Sequence, residues 1–256
     1  MQSRNVVTVR LLNDLGISKT KNYLTRFGFE RDSLPEDLSI ALGSYGISPY
    51  KNAEFFSVFA NGGKKINPTY IEKIVDKDGN EIFFDQKDLS KTTLEQWIGK
   101  PLIEEETFAI DPRVSFVVTD ILREATRRGT GRAIKKLQRD DFAGKTGTTN
   151  SNQDAWFVGF SSDLVVGVFV GFDNPATLGK RETGSSVAAP IFRDFMSRAL
   201  HKKPDVPFRR PPGIKLIKVN PKTGFLSNCS FDWSFGKVVS DDDQITLSAF
   251  GNSILL

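Results

Sequence analysis

Lys145-Thr146-Gly147-Thr148-Thr149 leads into two alternating apolar segments, Asp154 to Ser161 and Leu164 to Asp173. The pentad therefore reads as the opening strand of a sheet. A cation, two hydroxyls and a bare backbone on one strand make a place to hold an acylated peptide. Alternation puts the Thr146 and Thr148 hydroxyls on one side, and Gly147 lets another backbone approach. Acyl transfer is the chemistry these residues could do, and it demands an activated nucleophile and a proton relay elsewhere.

Look-alike motifs fail on context. Gly144-Lys145-Thr146 ends like a phosphate-binding loop, yet Arg139 stands where that loop needs its first glycine. Gly129-Thr130-Gly131 opens like a dinucleotide fingerprint but has Ile134 in place of the third glycine. Lys222-Thr223-Gly224 follows the turn dipeptide Asn220-Pro221 and reads as the close of a hairpin. Cys229 and His201 are the only residues of their types, which excludes disulfides, cysteine-rich zinc sites and His-paired metals. No metal or organic cofactor is expected. His201 reads as a cation at a helix C-terminus. The net charge of +4, from 35 basic and 31 acidic residues, is too diffuse to argue for nucleic acid. Met1-Gln2-Ser3-Arg4 lacks the regions of a secretory signal, and the apolar run Leu164 to Phe172 is too short to span a bilayer.

The elements that must position the pentad follow from periodicity and caps. The 256 residues are 39% hydrophobic, enough for a sizeable core. Val6, Val7, Val9, Leu11 and Leu12 predict a helix ending at Gly16, and Ser18 is expected to cap a second, closed by Gly28. Ser48-Pro49 starts a third, carrying Phe55, Phe56, Val58 and Phe59 to Gly62-Gly63. Tyr70 to Val75 and Glu81 to Phe84 flank Asp78-Gly79 as a surface hairpin. Asp111-Pro112 opens a long helix with an inward stripe of Val114, Val117, Val118, Ile121, Leu122 and Ala125, ended by Gly129. A last helix spans Val187 to Leu200. Helix, three antiparallel strands and helix predict an α/β (α+β) fold. Pro204, Pro207, Pro211 and Pro212 then suggest a linker, with a small β unit somewhere in 214–256.

Seven phrases in order make the sequence resemble the serine penicilloyl-transferase superfamily, and most closely the transpeptidase domain of class A penicillin-binding proteins. They are Gln2-Ser3-Arg4-Asn5-Val6-Val7, Ala41-Leu42-Gly43-Ser44, Phe59-Ala60-Asn61-Gly62-Gly63, Gly129-Thr130-Gly131-Arg132-Ala133, Ala143 to Thr149, Asp154-Ala155-Trp156-Phe157-Val158-Gly159 and Ala188-Ala189-Pro190. The family uses Ser-x-x-Lys, Ser-x-Asn and Lys-Thr-Gly. The resemblance makes Ser3-Arg4-Asn5 the second motif and Lys145-Thr146-Gly147 the third. It implies that Ser3, Asn5 and Lys145 are catalytic: Ser3 relays a proton, Lys145 polarises it, and the Asn5 amide fixes a peptide or the catalytic lysine. It further implies that Thr146, Gly147, Thr148 and Thr149 bind substrate, with the Thr148 N–H in the oxyanion hole. A structural reading competes: Ser3 as a helix cap and Lys145 as a solvated strand residue.

The resemblance implies a serine β-lactamase/transpeptidase-like fold, an antiparallel sheet flanked by helices and incomplete at its N-terminus. Residues 1–203 are expected to form a partial transpeptidase domain, and 204–256 the Pro-rich linker and small β extension. The family's first motif precedes the second, so the nucleophile and its lysine are expected outside these residues and the chain inactive alone. Ser18-Lys19-Thr20-Lys21 and Ser48-Pro49-Tyr50-Lys51 match Ser-x-x-Lys but follow Ser3 and read as caps. Peptidoglycan stem peptides and β-lactams are the implied partners. The implied place is the outer face of the bacterial cytoplasmic membrane, through an upstream anchor and glycosyltransferase domain. A D,D-carboxypeptidase or β-lactamase using water as acceptor, or a non-catalytic remnant that binds peptide, are the alternatives.

Overall fold

The computed structural model describes residues 3–71, 73–84, 108–219 and 235–240. Helix α1 (Asn5–Leu15) runs into α2 (Ile17–Leu24) through Gly16, whose φ of 84° turns the corner. Gly16 therefore caps both helices, and the cap expected at Ser18 is corrected: α2 begins one residue earlier, and the Ser18 hydroxyl accepts from Arg31 at 3.4 Å instead. A short 3-10 turn, Thr25–Phe27, ends at Gly28 as expected. Helix α3 (Pro49–Ala60) starts where the sequence places it, the Ser48 hydroxyl accepting from the Lys51 N–H at 3.2 Å. Strands β1 (Lys73–Val75) and β2 (Glu81–Phe84) form the exposed antiparallel hairpin.

Helix α4 (Pro112–Arg128) is capped by Asp111, and Val118, Leu122 and Ala125 of the expected stripe do face the core, but its buried face extends beyond that stripe. Val114 is 47% exposed, whereas Ser115, Thr119, Ala125 and Thr126 are buried. The difference has a physical reason. Small hydroxylated residues let the helix approach closely and donate to carbonyls of neighbouring elements: Thr119 to Phe59 O at 3.4 Å, Thr126 to Phe142 O at 3.1 Å.

Strands β3 (Ala143–Thr148), β4 (Ala155–Phe160) and β5 (Val165–Val170) make an antiparallel sheet in the order β3-β4-β5. Thr146 opposes Phe157, and Lys145 opposes Val158. Helices α3 and α4 cover one face, where Phe160 and Ala143 join Phe27, Val58, Phe59 and Ile110. A π-turn, Gly184–Ala188, and helix α5 (Ala189–Ala199) cover the other, where Phe157 packs on Phe192 with ring centres 4.7 Å apart. This is the helix-flanked antiparallel sheet that the sequence predicts.

The Pro-rich stretch does not leave the domain at Lys203. Arg139 donates to Lys203 O at 2.7 Å and Pro204 O at 2.9 Å, and pairs with Asp141 at 2.6 Å. Asp141 in turn accepts from the Val206 N–H, and Phe208 packs on Phe160. Beyond this strap, β6 (Ile214–Val219) pairs antiparallel with β7 (Phe235–Ser240). Among the described residues no helix is long and apolar enough to cross a membrane, and no cluster of His, Cys, Asp and Glu could hold a metal ion.

Candidate active site

Strand β3 is the outer strand of its sheet, and the site is built on it. Thr126 on α4 anchors its start through Phe142, and tight cross-strand glycines, Gly144 opposite Gly159, let it lie against β4. Alternation sends the Lys145 side chain to the face shared with Ala143 and the Thr146 and Thr148 hydroxyls to the other. The long Lys145 chain curls back to its strand, its ammonium donating to Thr146 O at 2.8 Å. No carboxylate pairs with it among the described residues, and burial pushes its pKa below the ordinary lysine range. Lys145 is half-buried, so the solvated-strand alternative fails. A desolvated cation with one neutral partner is a site that gains by receiving an anion.

Both look-alike lysines have other work. Lys21 is fully buried and donates to Leu34 O at 2.9 Å and to Glu36, and Lys51 pairs with Glu54 at 2.9 Å. Each ammonium is already engaged by a carboxylate of its own neighbourhood.

The threonine hydroxyls are braced from behind. Thr146 Oγ1 lies 2.6 Å from Thr130 Oγ1, and Thr148 Oγ1 accepts from the Gly184 N–H at 3.0 Å. Ser185 donates to Thr130 O at 2.7 Å, so the loop after α4 and the turn before α5 converge on one side of β3. Residue 184 must be glycine, because a Cβ there would stand 2.4 Å from Gly147 O and 2.3 Å from Trp156 O. The flat backbone of Gly147 is thus approached on this side by Gly184. Sequence reasoning missed Thr130, Gly184 and Ser185. Thr130 stood in a glycine-rich phrase that counted toward the family resemblance without a role for its hydroxyl, and the other two in a bend with no periodicity.

Thr149 has a different occupation: its hydroxyl accepts from the Asp154 N–H at 2.8 Å and closes the connection between β3 and β4. Ser3 and Asn5 lie exposed at the start of α1. Ser3 is not the cap of α1, since Arg4 holds that position and no side chain caps the helix. Its φ of 47° is uncommon for serine. Among the described residues neither the Ser3 hydroxyl nor the Asn5 amide makes a hydrogen bond, and the structure records none between them and Lys145.

The penicillin-binding protein transpeptidase domain family matches residues 1–197. This chain belongs to that family. Penicillin-binding protein 1A of Pseudomonas aeruginosa is 39% identical over 258 residues, covering 87% of this chain and 31% of that protein. The crystal structure of penicillin-binding protein 1A from Haemophilus influenzae superposes with a TM-score of 0.76 at 31% identity, covering 93% of this chain and 38% of that one. The PonA1 protein from Mycobacterium tuberculosis, in complex with penicillin V, shares the fold at a TM-score of 0.58 and 21% identity over 79% of this chain and 55% of that one. The transpeptidase chain therefore spans about a third of the length of the relatives it matches. Its fold is the helix-flanked antiparallel sheet of penicillin-binding protein transpeptidase structures.

Proposed function

We propose that this chain supplies the second and third motifs of a serine D,D-transpeptidase that cross-links peptidoglycan stem peptides. The observation that carries the reading is Lys145, a half-buried ammonium without a carboxylate among the described residues, on the same strand as two hydroxyls braced by Thr130 and Gly184. Thr146 and Thr148 donate to the terminal carboxylate of the donor peptide, Lys145 supplies the positive potential, and the open N–H of Thr148 faces the carbonyl oxygen. Gly147 leaves room for the peptide backbone, and Thr149 holds the turn behind it.

In the complete enzyme a serine outside these residues attacks the penultimate D-alanine carbonyl. Its proton moves to a base, the tetrahedral oxyanion forms and collapses, and the Ser3 hydroxyl relays a proton to the departing terminal D-alanine. An amine of a neighbouring stem then takes the acyl group and releases the serine. Lys145 keeps the Ser3 hydroxyl polarised, and the Asn5 amide fixes a neighbouring group. A β-lactam enters the same cradle as a carboxylate. No step uses a metal or organic cofactor. Residues 1–203 form the transpeptidase part and 204–256 an extension strapped to it. The working place is the outer face of the bacterial cytoplasmic membrane, reached through a segment of a longer protein that also carries the glycosyltransferase.

The test is incubation of the 256-residue chain with a fluorescent penicillin. Reversible binding by fluorescence anisotropy, with no labelled band after denaturation, is the expected result. A labelled band overturns the placement of the nucleophile outside this chain, and absence of reversible binding overturns the cradle.

A further inference from the structure

Two hydroxyls on a strand can present protons or lone pairs to a ligand, and which they present decides what they bind. A threonine hydroxyl has one proton and two acceptor sites. Thr148 Oγ1 accepts from the Gly184 N–H, a group that cannot accept in return, so the Thr148 proton is turned away from the strand's brace. Thr146 and Thr130 share one hydrogen bond between two hydroxyls, so one of their two protons stays unspent. With an anion beside Thr146, the run settles as Thr130 to Thr146 to anion, each bond polarising the next. Ser185 holds Thr130 in place through its carbonyl, and Thr183 caps the turn, its N–H donating to Ser186 Oγ at 2.8 Å.

We propose that Thr130, Gly184 and Ser185 are positioning residues that turn the hydroxyl protons of the Thr146–Thr148 cradle toward the ligand, so that it favours a terminal carboxylate over the corresponding carboxamide. The inference rests on the transpeptidase reading and deepens it. A carboxylate offers acceptors alone and satisfies both outward protons. A carboxamide brings an NH2 that meets one of those protons with another, leaving a donor unpaired in a partly dry site. Lys145 adds a preference of its own for the anion, so loss of Thr130 weakens the selectivity without abolishing it.

The experiment is an NMR titration of the full chain with diacetyl-L-lysyl-D-alanyl-D-alanine and with its C-terminal carboxamide, read at the backbone amides of residues 145–148. The wild type prefers the acid, and Thr130→Val cuts that preference by about fivefold, the loss of one bond in a charge-assisted run. Thr130→Ser, which restores the hydroxyl, returns it to within about twofold. If Thr130→Val fails to fold, Ser185→Ala is measured in its place, with a loss of about threefold expected. Unchanged selectivity in Thr130→Val or in the folded Ser185→Ala, with wild-type binding intact, overturns this inference alone. No shift at β3 in the wild type overturns the functional reading and this inference with it.

Discussion

Lys145 concentrates the argument at the scale of single residues. Its pKa is depressed by burial alone, so between the folded value and the ordinary value the unfolded chain binds more protons and stability rises with pH. Lys145→Met removes that dependence. We predict that at neutral pH it melts no lower than wild type, that it loses the rise in stability on the alkaline side, and that it no longer binds acyl-D-alanyl-D-alanine. Calorimetric scans across pH with a parallel ligand titration check all three, and a variant that melts several degrees lower contradicts the first. Gly184→Ala tests the brace: its Cβ would meet two backbone oxygens that cannot move cheaply, and a cost of about 1–3 kcal/mol is expected by denaturant unfolding. The strand that carries Lys145, Thr146 and Thr148 was legible because the segments after it alternate, and the roles of these residues are what the ligand titrations test. Thr149 stands just past the end of β3, and its hydroxyl turns back onto Asp154.

At the scale of elements, strong caps and periodicity carried most of the fold. Ser48-Pro49 and Asp111-Pro112 open helices because a side-chain acceptor and a preset φ agree. Ser18 has an acceptor too, yet Gly16 already makes the corner that starts α2, and the cap goes unused. The face of α4 was misread because hydrophobicity was counted while small residues were not: burial against β3 rewards Ser115, Thr119 and Thr126 over Val114. Thr126→Val should therefore cost about 1–2 kcal/mol by removing the donor to Phe142 O, whereas Val114→Thr on the same helix should stay within about 0.5 kcal/mol. Urea denaturation of the pair decides between the two faces, and equal costs would contradict the packing described for α4.

At the scale of the whole molecule, the start of the Pro-rich stretch lies against the body of the domain. Composition read it as a linker because proline punctuates a chain, but Arg139 and the buried Asp141 are far from it in sequence and no local pattern announces the contact. Arg139→Ala leaves Asp141 buried and unpaired, and a loss of about 3–5 kcal/mol with faster hydrogen exchange at residues 203–206 is the expected outcome. Exchange that stays at wild-type rates would mean the strap is held without Arg139, by Phe208 and the bonds from Asp140, Asp141 and Ser162.

The central claim joins the two ends of the site: Ser3-Arg4-Asn5 and Lys145-Thr146-Gly147-Thr148 share one cleft. Its most direct measurement is chemical-shift mapping of benzylpenicillin on the isotope-labelled chain. Concerted, saturable shifts at the amides of residues 3–5 and 145–148 with one binding constant are predicted. Shifts confined to β3 with the start of α1 unmoved, or centred elsewhere on the molecule, would contradict the account.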